Sequence, residues 1–225
     1  MENKSPLKQQ FIDMMNFRHA CKVFDETKKI SDSDFQYILQ SARLSPSSFG
    51  FEPWHFLVVQ NPELREKLKA LTWGAQGTLP TASHFIVTLV RTGKSMRYDS
   101  NYIEQIMKDT HHIPEEARQQ RRGFYQQFQQ DDFDLLQNER NMQDWAAKQS
   151  YIALANMMNA AAFINIDTCP VEGFKVEAVN TLLASDFNID LSEYQPAYML
   201  AFGYRKDPQK EKTRQKLDDI VSWYQ

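Results

Sequence analysis

Two short stretches of this chain put cations where a small anion could be held. Arg18-His19-Ala20-Cys21-Lys22 places a guanidinium and an ammonium four residues apart after a helix, and Lys212-Thr213-Arg214 repeats the pairing near the other end. Such donors can hold a phosphate where no glycine cradle exists. Two further stretches carry groups of another kind. Pro46-Ser47-Ser48-Phe49-Gly50-Phe51-Glu52-Pro53-Trp54-His55 joins a hydroxyl loop to an aromatic strand, and its small residues leave backbone N–H groups accessible. Cys169-Pro170-Val171-Glu172-Gly173-Phe174 reads as a strand-to-helix turn. Each stretch also has a plain structural reading: a solvated start to an element, a helix-to-strand connection, a glycine serving a positive φ, a charged tail.

Other chemistries lack their residues. Gly93-Lys94-Ser95 follows a strand, but a P-loop needs glycine five residues before Gly93, where Thr88 stands. The seven glycines form no Gly-x-Gly-x-x-Gly, and there is no Gly-x-Ser-x-Gly elbow. His111-His112 and Glu115-Glu116 flank Pro114 in a very polar stretch, which reads as a solvated loop rather than a metal site. His55 and His84 read as core-edge histidines. Cys21 and Cys169 are the only cysteines and form no Cys-x-x-Cys pair, so a disulfide framework is not expected and a reducing compartment is. Cys169 reads as a packed small residue. A formal net charge of −3 gives no support to general nucleic-acid binding. The N-terminus does not read as a signal peptide, and the expected location is cytoplasmic.

The elements that must position these residues follow from periodicity. Leu7, Phe11, Met14 and Met15 share a stripe on a first helix ending near Phe17, and Ser31 with Asp34 resembles a capping box for a second carrying Phe35, Ile38, Leu39 and Ala42. Strands are expected at Trp54–Gln60, His84–Arg91 and Ala197–Gly203, the second central because it is apolar on both faces. Helices are expected from Pro62 to about Leu71 and from Lys175 to about Ser185. A polar helical excursion at about 92–140, split by Pro114, has too little apolar content for a core of its own. Its Phe124, Tyr125 and Phe128 would form one aromatic patch, pinning the excursion or facing a substrate. From Asp144 a helix runs to Phe163, with no charge between Lys148 and Asp167. Gln149, Ser150, Asn156, Asn159 and Asn165 make it a buried soluble helix rather than a membrane span. A helix apolar nearly all round must be covered nearly all round, which suggests a second subunit. A tail from about 205 ends in a small helix with Leu217, Ile220, Val221 and Trp223. The whole, residues 1–225, reads as one α+β domain.

Taken together and in order, these four stretches resemble the FMN-dependent nitroreductase family, in particular the oxygen-insensitive NAD(P)H nitroreductases. The likeness runs from about Asn16 to Lys216. It implies a three-layer α/β/α fold, with a small mixed, mainly antiparallel sheet flanked by helices, in an obligate homodimer with FMN at the subunit interface. By family pattern Arg18, His19, Ala20 and Lys22 hold the phosphate and ribityl side, and Lys212 and Arg214 close over the phosphate. Pro46, Ser47 and Ser48 match a loop given to the partner's flavin, and Gln149 matches a flavin-facing position. Pro170, Val171, Glu172 and Gly173 match the turn beneath the isoalloxazine, where a backbone N–H points at N5.

The implied activity is ping-pong hydride transfer through flavin N5, from NADH or NADPH to nitroaromatics, quinones or related acceptors. No side chain is assigned a catalytic role; Glu172 and Phe124 are expected to shape the nicotinamide and substrate pocket. Small-molecule acceptors and a second copy are the expected partners, with no nucleic acid, membrane or metal. A reductase for one metabolite such as a pterin or an enone, a flavin-sensing module without turnover, and a nucleotide-binding regulator remain the alternatives. Two departures stand out: Ala20 replaces a common serine, and Thr78 stands where a lysine is usual, with Gln76 in the amide role near the pyrimidine. The missing cation implies a lower flavin potential.

Overall fold

The computed structural model describes residues 4–225. Its helices are α1 (Ser5–Phe17), α2 (Asp32–Arg43), α3 (Pro62–Leu71), α4 (Thr78–Thr81), α5 (Asn101–Gln105), α6 (Glu115–Gln127), α7 (Glu139–Phe163) and α8 (Val176–Asp186). Its strands are β1 (Trp54–Val58), β2 (His84–Arg91), β3 (Asp167–Val171) and β4 (Tyr194–Gly203), in the order β1-β2-β4-β3 with every pair antiparallel. The expected mainly antiparallel sheet is found, and among the described residues its parallel element is one bridge, Ala20 to Thr168.

Strand β2 is central, as its apolar run requires. Phe85, Val87 and Leu89 join Met199 and Ala201 on one face, beneath Leu68 of α3, Leu79 of α4 and Leu183 of α8. On the other face Ile86, Tyr198, Leu200 and Phe202 pack against Phe35, Ile38 and Ala42 of α2 and Ala153, Met157 and Ala161 of α7. Period-two alternation in the strands meets period-3.6 stripes in the helices, and the expected helix–sheet–helix layering results. Pro170 is accommodated because β3 is an edge strand. Side-chain caps start α2 and α3: Ser31 Oγ accepts from Asp34 N at 3.1 Å, and Asn61 Oδ1 from Glu63 N and Leu64 N.

Helix α7 begins at Glu139, five residues before the expected start, because Asn138 caps it by accepting from Asn141 N at 2.9 Å. Its charged first turns look like the excursion in sequence. Its 25 residues span about 37 Å at the α-helical rise. Asn165, at φ 61°, ends the chain's helical course in the left-handed geometry usual for glycine. The helix is not covered all round within one chain: Tyr151, Ile152 and Phe163 stay exposed. Of the expected α1 stripe only Met14 is buried, while Leu7 and Phe11 are open.

The excursion is less thin than its composition suggests. Met96, Ile103, Met107, Tyr125 and Leu135 form a third cluster with Phe51 and with Met142, Trp145 and Ala146 of α7. The aromatic patch divides: Tyr125 and Phe128 turn inward to Phe49, and Phe124 is 60% exposed. The expected terminal helix is only a 3₁₀ turn, Leu217–Asp219, and Ile220, Val221 and Trp223 lie outside it, exposed. No helix among the described residues is long and apolar enough to cross a membrane.

One ion pair closes the sheet's open side. Asp167, 3% exposed at the start of β3, meets Arg205 just beyond β4. Arg205 donates to Asp167 Oδ2 from both its backbone N (2.9 Å) and Nε (3.0 Å), and its Nη2 lies 2.7 Å from Oδ1. The Arg205 guanidinium stacks over Phe17 at 4.1 Å, and His19 Nδ1 lies 3.4 Å from Asp167 Oδ1. Removing the charge of one partner of a buried pair costs on the order of 3 kcal/mol, so Asp167→Asn should lower the unfolding free energy by about that amount in urea titration. Burial also holds the imidazoles of His19 and His84 below their ordinary value, with Asp167 opposing at His19. As pH falls through about 6.5, the unfolded chain takes up protons that these folded sites resist, so stability falls toward pH 5. The thermal midpoint should drop over that window, and His84→Gln should flatten part of the drop.

Candidate functional site

The Arg18–Lys22 segment is laid on the outer edge of β3. Cys21 N donates to Thr168 O at 2.9 Å, and Ala20 forms the parallel bridge to Thr168. Lys22 Nζ thereby reaches Cys169 Sγ at 3.5 Å. Cys169 is fully buried and burial pushes its thiol up, Lys22 opposing, so the packed reading of this cysteine holds. The tail returns over the same segment, where Lys212 Nζ donates to the Arg18 carbonyl. Between them lies a cleft of about 590 Å³ lined by His19, Ala20, Lys22, Lys212 and Arg214 among others.

Asp207 and Glu211 also line the cleft, but the three cations Arg18, Lys212 and Arg214 at one side of it repel one another. Arg18 is lowered by burial and then by Arg214; Lys212 is lowered by burial and then by Arg18 and Arg214. Arg18 Nε is buried with no hydrogen-bond partner among the described residues. Three mutually repelling cations and an unspent guanidinium N–H favour a compact, multiply charged anion.

The turn at Pro170–Gly173 stands against the loop after α3. Gly74 N donates to Gly173 O at 2.8 Å, and a Cβ on Gly173 would come within 2.9 Å of Gly74 Cα, so both positions need glycine for this approach. Phe174 N donates to Glu172 O, and Gly173 N has no acceptor among the described residues. Trp73, against the same turn, is 72% exposed. The Gln76 amide donates to Lys69 O and Thr72 O, closing the end of α3, and Thr78 is buried with its hydroxyl on Ala75 O.

Gln149 is tied to the serine loop of its own chain: its Oε1 accepts from Ser48 N at 2.8 Å and its Nε2 donates to Trp145 O at 3.3 Å. Ser47 Oγ accepts from Glu52 N at 2.8 Å. The Ser48 N–H is thus already taken, contrary to the accessible backbone expected for this loop. Two residues beyond Gln149, the Tyr151 hydroxyl donates to Glu172 Oε1, and burial first, then Glu172, pushes the phenol up. One chain therefore brings His19, Ala20, Lys22, Lys212 and Arg214 together at one cleft, with Arg18 beside Lys212 and Arg214 just behind it, and joins Ser48 to Gln149 as a separate pair.

Sequence reasoning missed Asp167, Arg205 and Tyr151, which position the others. A signal existed for Asp167: it is the charge that ends the uncharged run after Lys148, and a lone acid opening a buried strand needs a cation. His111, read as part of a solvated loop, instead has Nε2 3.1 Å from the Gly50 carbonyl.

Comparison with known proteins bears on this arrangement. The family model described as the nitroreductase family matches residues 15–204. YfkO of Bacillus subtilis (strain 168), provisionally named an NAD(P)H nitroreductase, is 48% identical over 217 residues, 96% of this chain and 98% of that protein. An Exiguobacterium sibiricum protein solved in complex with FMN has a TM-score of 0.74 at 23% identity, covering 95% of this chain and 97% of that one. The enone reductase CLA-ER, of a gut-bacterial fatty acid saturation metabolism, has a TM-score of 0.74 at 20% identity, covering 95% and 97%. Family model and relatives agree over nearly the whole length: the chain belongs to the nitroreductase family of oxidoreductases.

Proposed function

We propose that this protein is an FMN-holding, NAD(P)H-dependent reductase of nitroaromatics, quinones and related acceptors, working as a homodimer. The observation that carries the reading is the crowding of Arg18, Lys212 and Arg214, where burial and the neighbouring positive charges lower Arg18 and Lys212 and Arg18 Nε has no hydrogen-bond partner among the described residues. That donor set suits the phosphate of a flavin mononucleotide, and the FMN in the Exiguobacterium sibiricum relative supports the choice. Bound FMN supplies hydride acceptance and donation at its N5.

The chain's own residues supply position and electrostatics. Arg18, Lys22, Lys212 and Arg214 would hold the phosphate, and Ala20 and His19 would line the ribityl side. Pro170, Val171, Glu172 and Gly173 form the floor, where the free Gly173 N–H is a donor for charge developing above it. Trp73 gives an exposed aromatic wall beside that floor. Nicotinamide and acceptor would visit the same open side in turn, which gives ping-pong kinetics. The dimer reading rests on the apolar groups left open on α7 and α1, Ile152, Phe163, Leu7 and Phe11. Pairing there would bring Pro46, Ser47 and Ser48 to the flavin of the second copy.

Purified protein should be yellow, bleach with NADH or NADPH without air, and recover its colour with a quinone. A colourless preparation that FMN cannot reconstitute overturns the proposal; yellow protein that neither nicotinamide bleaches favours a flavin sensor. Lys22→Ala combined with Arg214→Ala removes two charge-assisted contacts worth about 1.5–3 kcal/mol each. The FMN Kd should rise at least about 100-fold while circular dichroism and dimer mass stay unchanged. Phe124→Ala should change acceptor KM several-fold at constant FMN affinity, since Phe124 is largely exposed.

A further inference from the structure

The segment Phe49–Glu52, which continues the serine loop, is conformationally expensive. Phe49 (φ 57°), Gly50 (φ 68°) and Glu52 (φ 46°) all occupy the left-handed region, and two of them carry side chains. Such residues persist only where their surroundings over-determine them, each costing on the order of 1–3 kcal/mol. Local bonds within the loop are modest: Gly50 N to Ser47 O at 2.9 Å and Phe51 N to Ser48 O at 3.3 Å.

Ser47 Oγ also accepts from Glu52 N at 2.8 Å, and further restraint comes from the helical excursion. The Tyr102 hydroxyl donates to two consecutive carbonyls, Phe51 O at 2.6 Å and Glu52 O at 2.9 Å. His111 Nε2 lies 3.1 Å from Gly50 O, so close that a Cβ at Gly50 would sit 2.9 Å from the same nitrogen. The rings of Phe49 and Phe51 pack on Tyr125 at 4.8 and 4.9 Å, and Phe51 is fully buried. Three successive carbonyls of a strained turn thus each meet a side chain from the 102–111 region. The opposite end of the loop is held at Ser48 N by Gln149. The excursion reads as a clamp rather than a lid.

We infer that Tyr102 and His111 are positioning residues that fix the Ser47–Ser48 loop in its flavin-contacting conformation, so that the excursion of one subunit sets the affinity of the other's flavin site. This rests on the FMN reading above and extends it to residues that touch neither cofactor nor substrate. The Tyr102 ring is itself held by Arg91, whose guanidinium stacks over it at 4.1 Å. Tyr102→Phe therefore removes the two hydrogen bonds and keeps the packing.

The test measures FMN Kd by flavin fluorescence, the potential of the bound flavin and the thermal midpoint, in full-length Tyr102→Phe, His111→Leu and the double variant. FMN affinity should weaken about tenfold in each single variant and about 100-fold in the double, with a shifted potential. His111→Gln, whose amide nitrogen can stand in for Nε2, should restore affinity to within about threefold of the original protein. A purely structural role would lower the midpoint of all these variants and leave Kd and potential of the folded protein unmoved; that result overturns the inference. If the double variant fails to fold, Tyr102→Phe alone decides by the same Kd criterion. Original protein that binds no FMN would overturn the flavin reading instead. If it binds FMN and loses it in Lys22→Ala with Arg214→Ala while Tyr102→Phe binds unchanged, the clamp alone is wrong.

Discussion

A carboxylate sealed from water must be matched by a cation, and in this fold the match between Asp167 and Arg205 decides where much else goes. The pair joins the start of β3 to the chain leaving β4, and His19 and Phe17 gather on it. From there the geometry is nearly forced. Ala20 bridges Thr168, Lys22 reaches Cys169, and the tail that begins at Arg205 comes back with Lys212 against Arg18. Three like charges would ordinarily drive such strands apart. They stay together because the neighbouring ion pair, the bond from the Gln209 amide to Asn16 O and the Lys212 bond to the Arg18 carbonyl hold the segments against that repulsion.

Helix α7 acts as a ruler between the two kinds of site residue. Gln149 secures the serine loop and Tyr151 secures Glu172, two residues apart on one rigid element. Successive positions on a helix point about 100° apart, so residues 149 and 151 address different neighbours while their separation along the axis stays near 3 Å. The serine loop and the Glu172 turn are thus registered to each other through a single helix.

Much of the fold was legible because it follows from simple patterns. The β2 run His84–Arg91 is apolar on both faces and is central; the nearly continuous apolar run of β4 feeds both layers; Pro62 and the Ser31–Asp34 capping box mark helix starts. What was not legible depended on tertiary context. The polar first turns of α7 look like the excursion until Asn138 is seen capping them. Tyr125 and Phe124 are adjacent in sequence, and only packing against Phe49 and Phe51 assigns one inward and the other out. The cationic segments could be named from residue type and spacing, yet their mutual repulsion is a property of the folded arrangement. The roles of Asp167, Arg205, Tyr151 and His111 were not read because each acts through a partner far away in sequence.

The meeting of Gly74 with Gly173 has a consequence for how such a protein can diversify. Where main chain lies on main chain, there is no side chain to enlarge, trim or recharge, so the point where these two turns touch is closed to gradual change. Beside it stands Trp73, bulky and largely open, with its ring edge against Gly173. Selection for a new acceptor would therefore write on the wall and leave that contact alone, and a mutational library aimed at Trp73 and Phe124 would explore shape without risking the hinge on which the two loops meet.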